Sequence, residues 1–481
     1  MNKQIKNIIV VGGGTAGLIS ALILKQKHES NIDITVIKSD KIGIIGVGEG
    51  STEHWSEFMS YCGITHEEII KECDATLKCG ILFKDWGTKD YLHSLNEITD
   101  LKLGMERIVC QKLISENKKL THDCYDRGLV PKDFKNRKGL NQYHFNTNKL
   151  NDFLINKCKK SNVKIIDDII DEVIFNQNGE IEKLKSSTCI YQADFFIDST
   201  GFKKLLIGKL GAKWQSYEKY LKLNSAIVFP TGDTENYNVF TLAKAMKYGW
   251  RFRIPVWGRH GNGYIFDNNF ITADQAKEEI DKEFGYDVEI KKEIKFTPGA
   301  LDKVWIKNCV AVGLSANFVE PLEATSIGTS IQQIFLLNNI INSYNEKTIE
   351  FYNNQVNIVM NNIRDFIILH YICERNDTNF WKSLKTNEIP DTLKEKLELW
   401  KNRLPIEEDF DSRYCLFFDE NWTHVLYGLN LIDKNIIKNT YNPLGNSIKR
   451  GVENFLKDTI KKWNNSGFMT HKELINYYRN K

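Results

Sequence analysis

Ile8-Ile9-Val10-Val11-Gly12-Gly13-Gly14-Thr15-Ala16-Gly17 decides the fold: four apolar residues suited to a buried strand run straight into Gly-x-Gly-x-x-Gly and then into a helical stretch over 18–27. Gly12 permits the tight turn off the strand, Gly14 lets backbone approach a pyrophosphate, and Gly17 lets the helix pack closely on the sheet. The helix start offers unpaired N–H groups and a positive dipole end to phosphate, with Thr15 and Ala16 in its first turn. A second apolar strand over 34–37 completes the pattern expected of a nucleotide-binding fold. One position departs from it. An acidic residue normally ends the second strand and holds the ribose hydroxyls, yet Lys38 stands there, leaving Ser39 and Asp40 as candidates for that contact.

Further strand-like runs lie at 163–166, 173–175, 195–197 and 309–312. Two end in small-residue turns: Asp198-Ser199-Thr200-Gly201, and Val312-Gly313-Leu314. The simplest topology assembles one sheet from these separated pieces, giving an α/β core over 1–340 with a second, substrate-side sheet inserted around 205–300. Stretches 332–342, 349–371, 392–399 and 447–463 carry helical periodicity, so 341–481 reads as a helical region.

With 481 residues, 42% hydrophobic and 26% charged, the chain has the composition of a soluble globular protein, and a net charge of +3 gives no nucleic-acid or membrane footprint. No secretory leader pattern or bilayer-length apolar run is present, which predicts a cytoplasmic protein. The 10 cysteines are scattered without a Cys-x-x-Cys pair, so neither a metal site nor a disulfide framework is expected.

Several motifs in order resemble the flavin-dependent halogenases of the tryptophan-halogenase family, from the start of the chain to about Leu431. They are 10–17; Ile45-Gly46-Val47-Gly48-Glu49-Gly50-Ser51-Thr52; 77–86, containing Lys78; 196–201; Phe318-Val319-Glu320-Pro321-Leu322-Glu323-Ala324-Thr325; and Arg364-Asp365-Phe366 through His370-Tyr371 to Trp381. The resemblance implies a glutathione-reductase-type FAD-binding core and an oxidoreductase that uses FADH2, dioxygen and a halide (chloride, bromide or iodide) to make hypohalous acid. That acid would halogenate a small electron-rich aromatic substrate, of phenol or indole type, by electrophilic substitution.

Site residues follow by position. Taken alone, Lys78 reads as an ordinary surface lysine; the resemblance implies that it handles hypohalous acid, with Glu323 facing it. Backbone N–H groups of Thr325 and Ser326 would hold the halide, Ser326 standing where the family usually has glycine. Gly12, Gly14, Thr15, Ala16, Gly17, Ser39, Asp40, Glu49, Asp198 and Gly313 would contact FAD. His93, Phe417, Phe418 and Trp422 would line the organic substrate. Trp250-Arg251-Phe252-Arg253-Ile254-Pro255 resembles the family's Trp-x-Trp-x-Ile-Pro signature, with Phe252 as the second aromatic. No second Gly-x-Gly-x-x-Gly follows Gly17 to take NAD(P)H, which implies a separate NAD(P)H-dependent flavin reductase; a homo-oligomer is the default assembly. A flavin monooxygenase or a non-catalytic FAD-binding protein would share the FAD motifs, and halide dependence separates them from a halogenase.

Overall fold

The computed structural model describes residues 5–44, 48–94, 105–121, 123–136 and 141–481; Ile45, Gly46 and Val47 of the second motif lie outside the described residues. Strand Asn7–Val11 forms the centre of a six-stranded sheet. Asp33–Lys38 and Lys164–Asp167 follow on one side; Phe195–Asp198, Cys309–Ala311 and Trp305–Ile306 follow on the other. All neighbours run parallel except the last pair. Such a sheet is covered on both faces, which is why its strands read as continuous apolar runs rather than alternating ones. Helices Thr15–His28, Thr147–Lys160 and Thr325–Ile340 pack together on it.

The first glycine turn is sterically obligatory. Gly12 has φ +116°, and a Cβ there would lie 2.0 Å from the Ser199 carbonyl oxygen. A Cβ on Gly17 would lie 2.1 Å from the Gly12 carbonyl oxygen, so only glycine lets the helix start this close to the strand.

A seven-stranded sheet stands beside this core. Its order is Lys292–Lys295, Ser225–Gly232, Arg259–Phe266, Gly249–Val256, Thr241–Met246, Gly80–Lys84 and Tyr91–Ser94. Two of its strands thus come from the N-terminal part of the chain, directly after Lys78. Phe252 pairs with Gly263, where a Cβ would strike the phenylalanine ring at 2.4 Å, so the glycine makes room for the aromatic.

Beyond Thr325 the chain is mostly helical, led by Thr325–Ile340 and the 25-residue Glu346–His370. The exception is Phe468–Thr470, a strand that pairs with Leu129–Pro131 and leads into the last helix, His471–Asn480. Three residues are too few for a period-2 pattern to register in a sequence reading. Among the described residues no helix is long and apolar enough to cross a membrane.

Candidate active site

A cleft of about 760 Å³ opens at the C-terminal ends of the parallel strands. Gly12, Gly14, Thr15 and Ala16 line it with Ser39, Asp40, Glu49, Ser199, Thr200 and Gly313, and Trp250 and Phe252 reach it from the second sheet. Gly14 has open space where a Cβ would stand, so ligand can approach the backbone there. Glu49 is half-buried, desolvation pushes its carboxyl up to about 7, and its buried Oε2 meets no hydrogen-bond partner among the described residues. A cradle of bare backbone at a helix start, together with an orphaned buried carboxyl oxygen, fits a bound dinucleotide with polar edges. At the ribose position, Lys38 packs its stem under Gly13 and pairs with Asp40, whose carboxyl this pairing lowers below its usual range.

Asp198 is a correction to the expected cofactor contacts. Its carboxylate accepts from the Thr200 N–H (3.0 Å) and hydroxyl (2.7 Å), from the N–H groups of Leu206 and Ile207 (2.8 and 2.9 Å), and from the Ser315 hydroxyl (3.1 Å). With its lone pairs engaged and no exposure, it shapes the loop that Ser199, Thr200 and Gly201 present to the cleft, and does not face the cleft itself.

Behind Gly50 lies a buried charged side chain. Lys78 joins strand Thr76–Leu77 to Gly80–Lys84 and is fully buried. Its Nζ donates to the Ser51 carbonyl at 2.7 Å, and a Cβ on Gly50 would touch both its stem and Ala324. Burial lowers the Lys78 pKa to about 8, against the pull of Glu323 and Glu53.

Glu323 lines the cleft from the other side. Glu323 and Ala324 both adopt left-handed backbone, with φ +67° and +54°, at a kink after Pro321. Each such residue costs roughly 1–3 kcal/mol, and strain of this kind collects where a side chain must be aimed. The kink aims the carboxylate at two histidines: His93 Nδ1 lies 2.9 Å from both oxygens and His370 Nε2 3.0 Å from one. Burial raises the Glu323 pKa, but His93 and His370 outweigh it and hold the carboxyl far below its ordinary range.

The partners fix where protons sit. Asn421 Oδ1 accepts from the Phe418 N–H at 2.8 Å, which turns its amide nitrogen toward His93 Nε2 at 3.3 Å. His370 Nδ1 faces the Phe366 carbonyl at 2.8 Å and must carry a hydrogen. Its Nε2 faces a carboxylate, so one proton is shared between His370 and Glu323.

Helix Thr325–Ile340 starts beside this pair without a side-chain cap. The Thr329 and Ser330 hydroxyls donate back to the Thr325 and Ser326 carbonyls (2.8 and 2.9 Å), and among the described residues no cap side chain takes the first-turn N–H groups, which suit an anion. Ser326 is exposed on the cleft wall, whereas Thr325 is buried.

The expected substrate wall divides. His93 is the carboxylate's partner. Phe417 is buried and stacks on Phe366 with centroids 4.0 Å apart. Phe418 is half-buried against Phe410. Trp422 is a second correction: it is fully buried between Phe366 and Trp400, its indole N–H donating to the Phe417 carbonyl, and it supports the wall from behind. Sequence reasoning missed His370 and Asn421. His370 ends a long helix like any capping histidine, and Asn421 sits in a capping position for the helix Asp419–Gly428, so only their tertiary partners reveal them.

The tryptophan halogenase family model matches residues 7–443. The chain is 30% identical to a 7-chloro-L-tryptophan 6-halogenase of Kutzneria sp., with 85% of this chain and 87% of that one covered. It is 29% identical to a tryptophan 7-halogenase of Lentzea aerocolonigenes (90% and 91% covered). Among solved structures, a tryptophan halogenase from Shewanella frigidimarina superposes with a TM-score of 0.90 at 26% identity, covering 99% and 98% of the two chains. A flavin-dependent halogenase from Xanthomonas campestris superposes at 0.87 and 27% identity, covering 99% of each.

Proposed function

The chain belongs to the tryptophan halogenase family and is a flavin-dependent halogenase acting on an aromatic ring; on that premise we propose how its own residues carry the reaction. Gly12–Ala16, Ser39, Thr200 and Gly313 hold FAD in the cleft, with Glu49 against one of its polar edges. Reduced FAD, when bound, supplies the activation of dioxygen by which halide becomes hypohalous acid. The uncapped N–H groups at the start of helix Thr325–Ile340 hold the halide.

Lys78 and Glu323 then act on hypohalous acid and the ring. Lys78 donates a proton to the hydroxyl oxygen as the halogen–oxygen bond breaks, so the hydroxyl leaves as water and the halogen passes to a ring carbon. The cation so formed on the ring is stabilised by the Glu323 carboxylate, which takes the proton from the substituted carbon. A weak base suffices because such a cation is a strong acid. The proton returns to Lys78 through the shared Glu323–His370 site and solvent. The single observation behind this reading is a fully buried lysine and a fully buried carboxylate flanking Gly50 and Ala324.

The substrate is a small electron-rich aromatic of phenol or indole type, supported by the aromatic side chains behind the pocket. FADH2 comes from a separate NAD(P)H-dependent reductase, consistent with a sequence that has one Gly-x-Gly-x-x-Gly. The test is aerobic turnover of an indole and phenol panel with FAD, a reductase and NADH, each halide in parallel, read by mass spectrometry. A halide-specific mass shift supports the reading; a gain of one oxygen without halide replaces it with a monooxygenase.

A further inference from the structure

The last helix sends a histidine into the segment that carries Lys78. His471 opens the helix His471–Asn480 and is fully buried. Its Nδ1 lies 2.9 Å from the Asn238 carbonyl, so that nitrogen carries the hydrogen and Nε2 is left as an acceptor. Nε2 accepts the Leu77 backbone N–H at 3.0 Å. Burial lowers the His471 pKa to about 4, which keeps the ring neutral at working pH.

The position of this bond matters. Strand Thr76–Leu77 pairs with Tyr143–Phe145, and the Lys78 N–H continues toward that partner by donating to the Gln142 carbonyl at 3.0 Å. The alternate residue, Leu77, directs its N–H the other way, toward His471. One residue beyond Lys78, the Cys79 N–H donates to Val239 at 2.6 Å. Leu77 is thus tied through the imidazole to Asn238, and Cys79 directly to Val239, with Lys78 held between the two ties.

The ring is itself fixed from elsewhere. Thr470 and Glu473 form a capping box at the helix start, the Tyr478 hydroxyl donates to the Phe134 carbonyl at 2.8 Å, and Arg479 donates to the Ile70 carbonyl at 3.0 Å. This helix lies beyond the residues matched by the family model.

We propose that His471 is a positioning residue for Lys78: its neutral imidazole clips the Leu77 backbone to the 238–239 segment and so fixes where the Lys78 amine stands. The role of Lys78 in halogen transfer rests on the function proposed above; the clip itself does not.

Three full-length variants test it. His471→Leu fills the space without an acceptor, His471→Asn keeps only the shorter reach toward Asn238, and His471→Gln offers an amide long enough to accept from Leu77. The first readout is the titration of Lys78, followed by the 13C shift of its Cε in lysine-labelled protein and assigned by its loss in Lys78→Arg. The groups facing Lys78 are Glu323, Glu53 and His144, and none is altered. The wild-type midpoint is expected near 8; in the leucine and asparagine variants it moves toward the ordinary lysine value, and in the glutamine variant it stays. The second readout is halogenated product set against hypohalous acid trapped in solution. Product falls about 10-fold or more in the leucine and asparagine variants while trapped acid persists, and glutamine restores product.

A folded leucine or asparagine variant with wild-type Lys78 titration and wild-type product overturns the proposal. So does a glutamine variant that loses as much as asparagine, which keeps the test decisive if the leucine variant does not fold. A wild type without halogenation would count against the proposed function, while the Lys78 titration would still decide the clip.

Discussion

Lys78 and Glu323 are buried charged side chains, and each is tolerated because polar groups are aimed at it. Both pKa values are lowered, and this suits the proposed tasks: the lysine is lowered enough to give up a proton, and the carboxylate stays ionised. Lys78→Ala is expected to reduce halogenated product by about 100-fold or more while hypohalous acid still escapes to a chemical trap. Because the ammonium is the donating form, product formed per hypohalous acid should fall as pH rises through about 8. A pH profile of product against trapped acid checks the sign; a ratio that rises with pH would contradict the assigned donor. His370→Gln, which breaks the shared proton site, should lower the product rate by about 10- to 100-fold with FAD binding unchanged, as measured by flavin fluorescence titration.

This scale was only partly legible in the sequence. The glycines of the first turn announce themselves, since their steric need is local: Gly12 and Gly17 meet backbone within one turn of the chain or across one neighbouring strand. Lys78 and Glu323 carry no local signature, and it took resemblance to pick them out. His370, Asn421 and His471 stayed hidden because their partners lie 47, 328 and 394 residues away. Asp198 misled because a strand-end acid before a small-residue turn looks the same whether it meets a ligand or the next loop's N–H groups.

At the scale of elements, the strap formed by Glu49–Gly50 and the two residues after it separates the cleft from Lys78 and seats against the helix Thr325–Ile340. Its contacts are tight: a Cβ on Gly328 would lie 2.3 Å from the Thr52 hydroxyl oxygen, and one on Gly50 3.3 Å from the Ala324 Cβ. Gly328→Ala should cost roughly 1–3 kcal/mol of stability through overpacking, read by thermal or denaturant unfolding. Ser326→Gly changes the halide end of the same helix by removing a side chain on the cleft wall. It should alter the ratio of chlorinated to brominated product in a mixed-halide assay while leaving organic-substrate KM unchanged; an unaltered ratio would move the halide elsewhere. The long helices were readable because their apolar spacing is sustained over several turns, and the strand Phe468–Thr470 was not, because its partner Leu129–Pro131 is more than 300 residues earlier.

For the whole molecule, the arrangement is a nucleotide-type sheet with its cleft, a second sheet that receives Gly80–Lys84 and Tyr91–Ser94 directly after Lys78, and a helical region that supplies His370 and His471. The buried lysine and the carboxylate with its histidines are therefore brought together from the first fifth and the last third of the chain. Electron supply is predicted to be external: the protein with FAD and NADH alone should consume no NADH, and photochemically reduced FAD should replace the reductase with the same product per FADH2. In the proposed reaction hypohalous acid is made in the cleft but delivered to the ring only through Lys78. The most direct measurement is paired quantification of halogenated aromatic and trapped hypohalous acid, by mass spectrometry, for wild type and Lys78→Ala at equal FADH2 supply. Product is expected to fall about 100-fold or more in the variant while trapped acid rises to replace it. Undiminished product in Lys78→Ala, or loss of both together in a variant that still binds FAD, would contradict it.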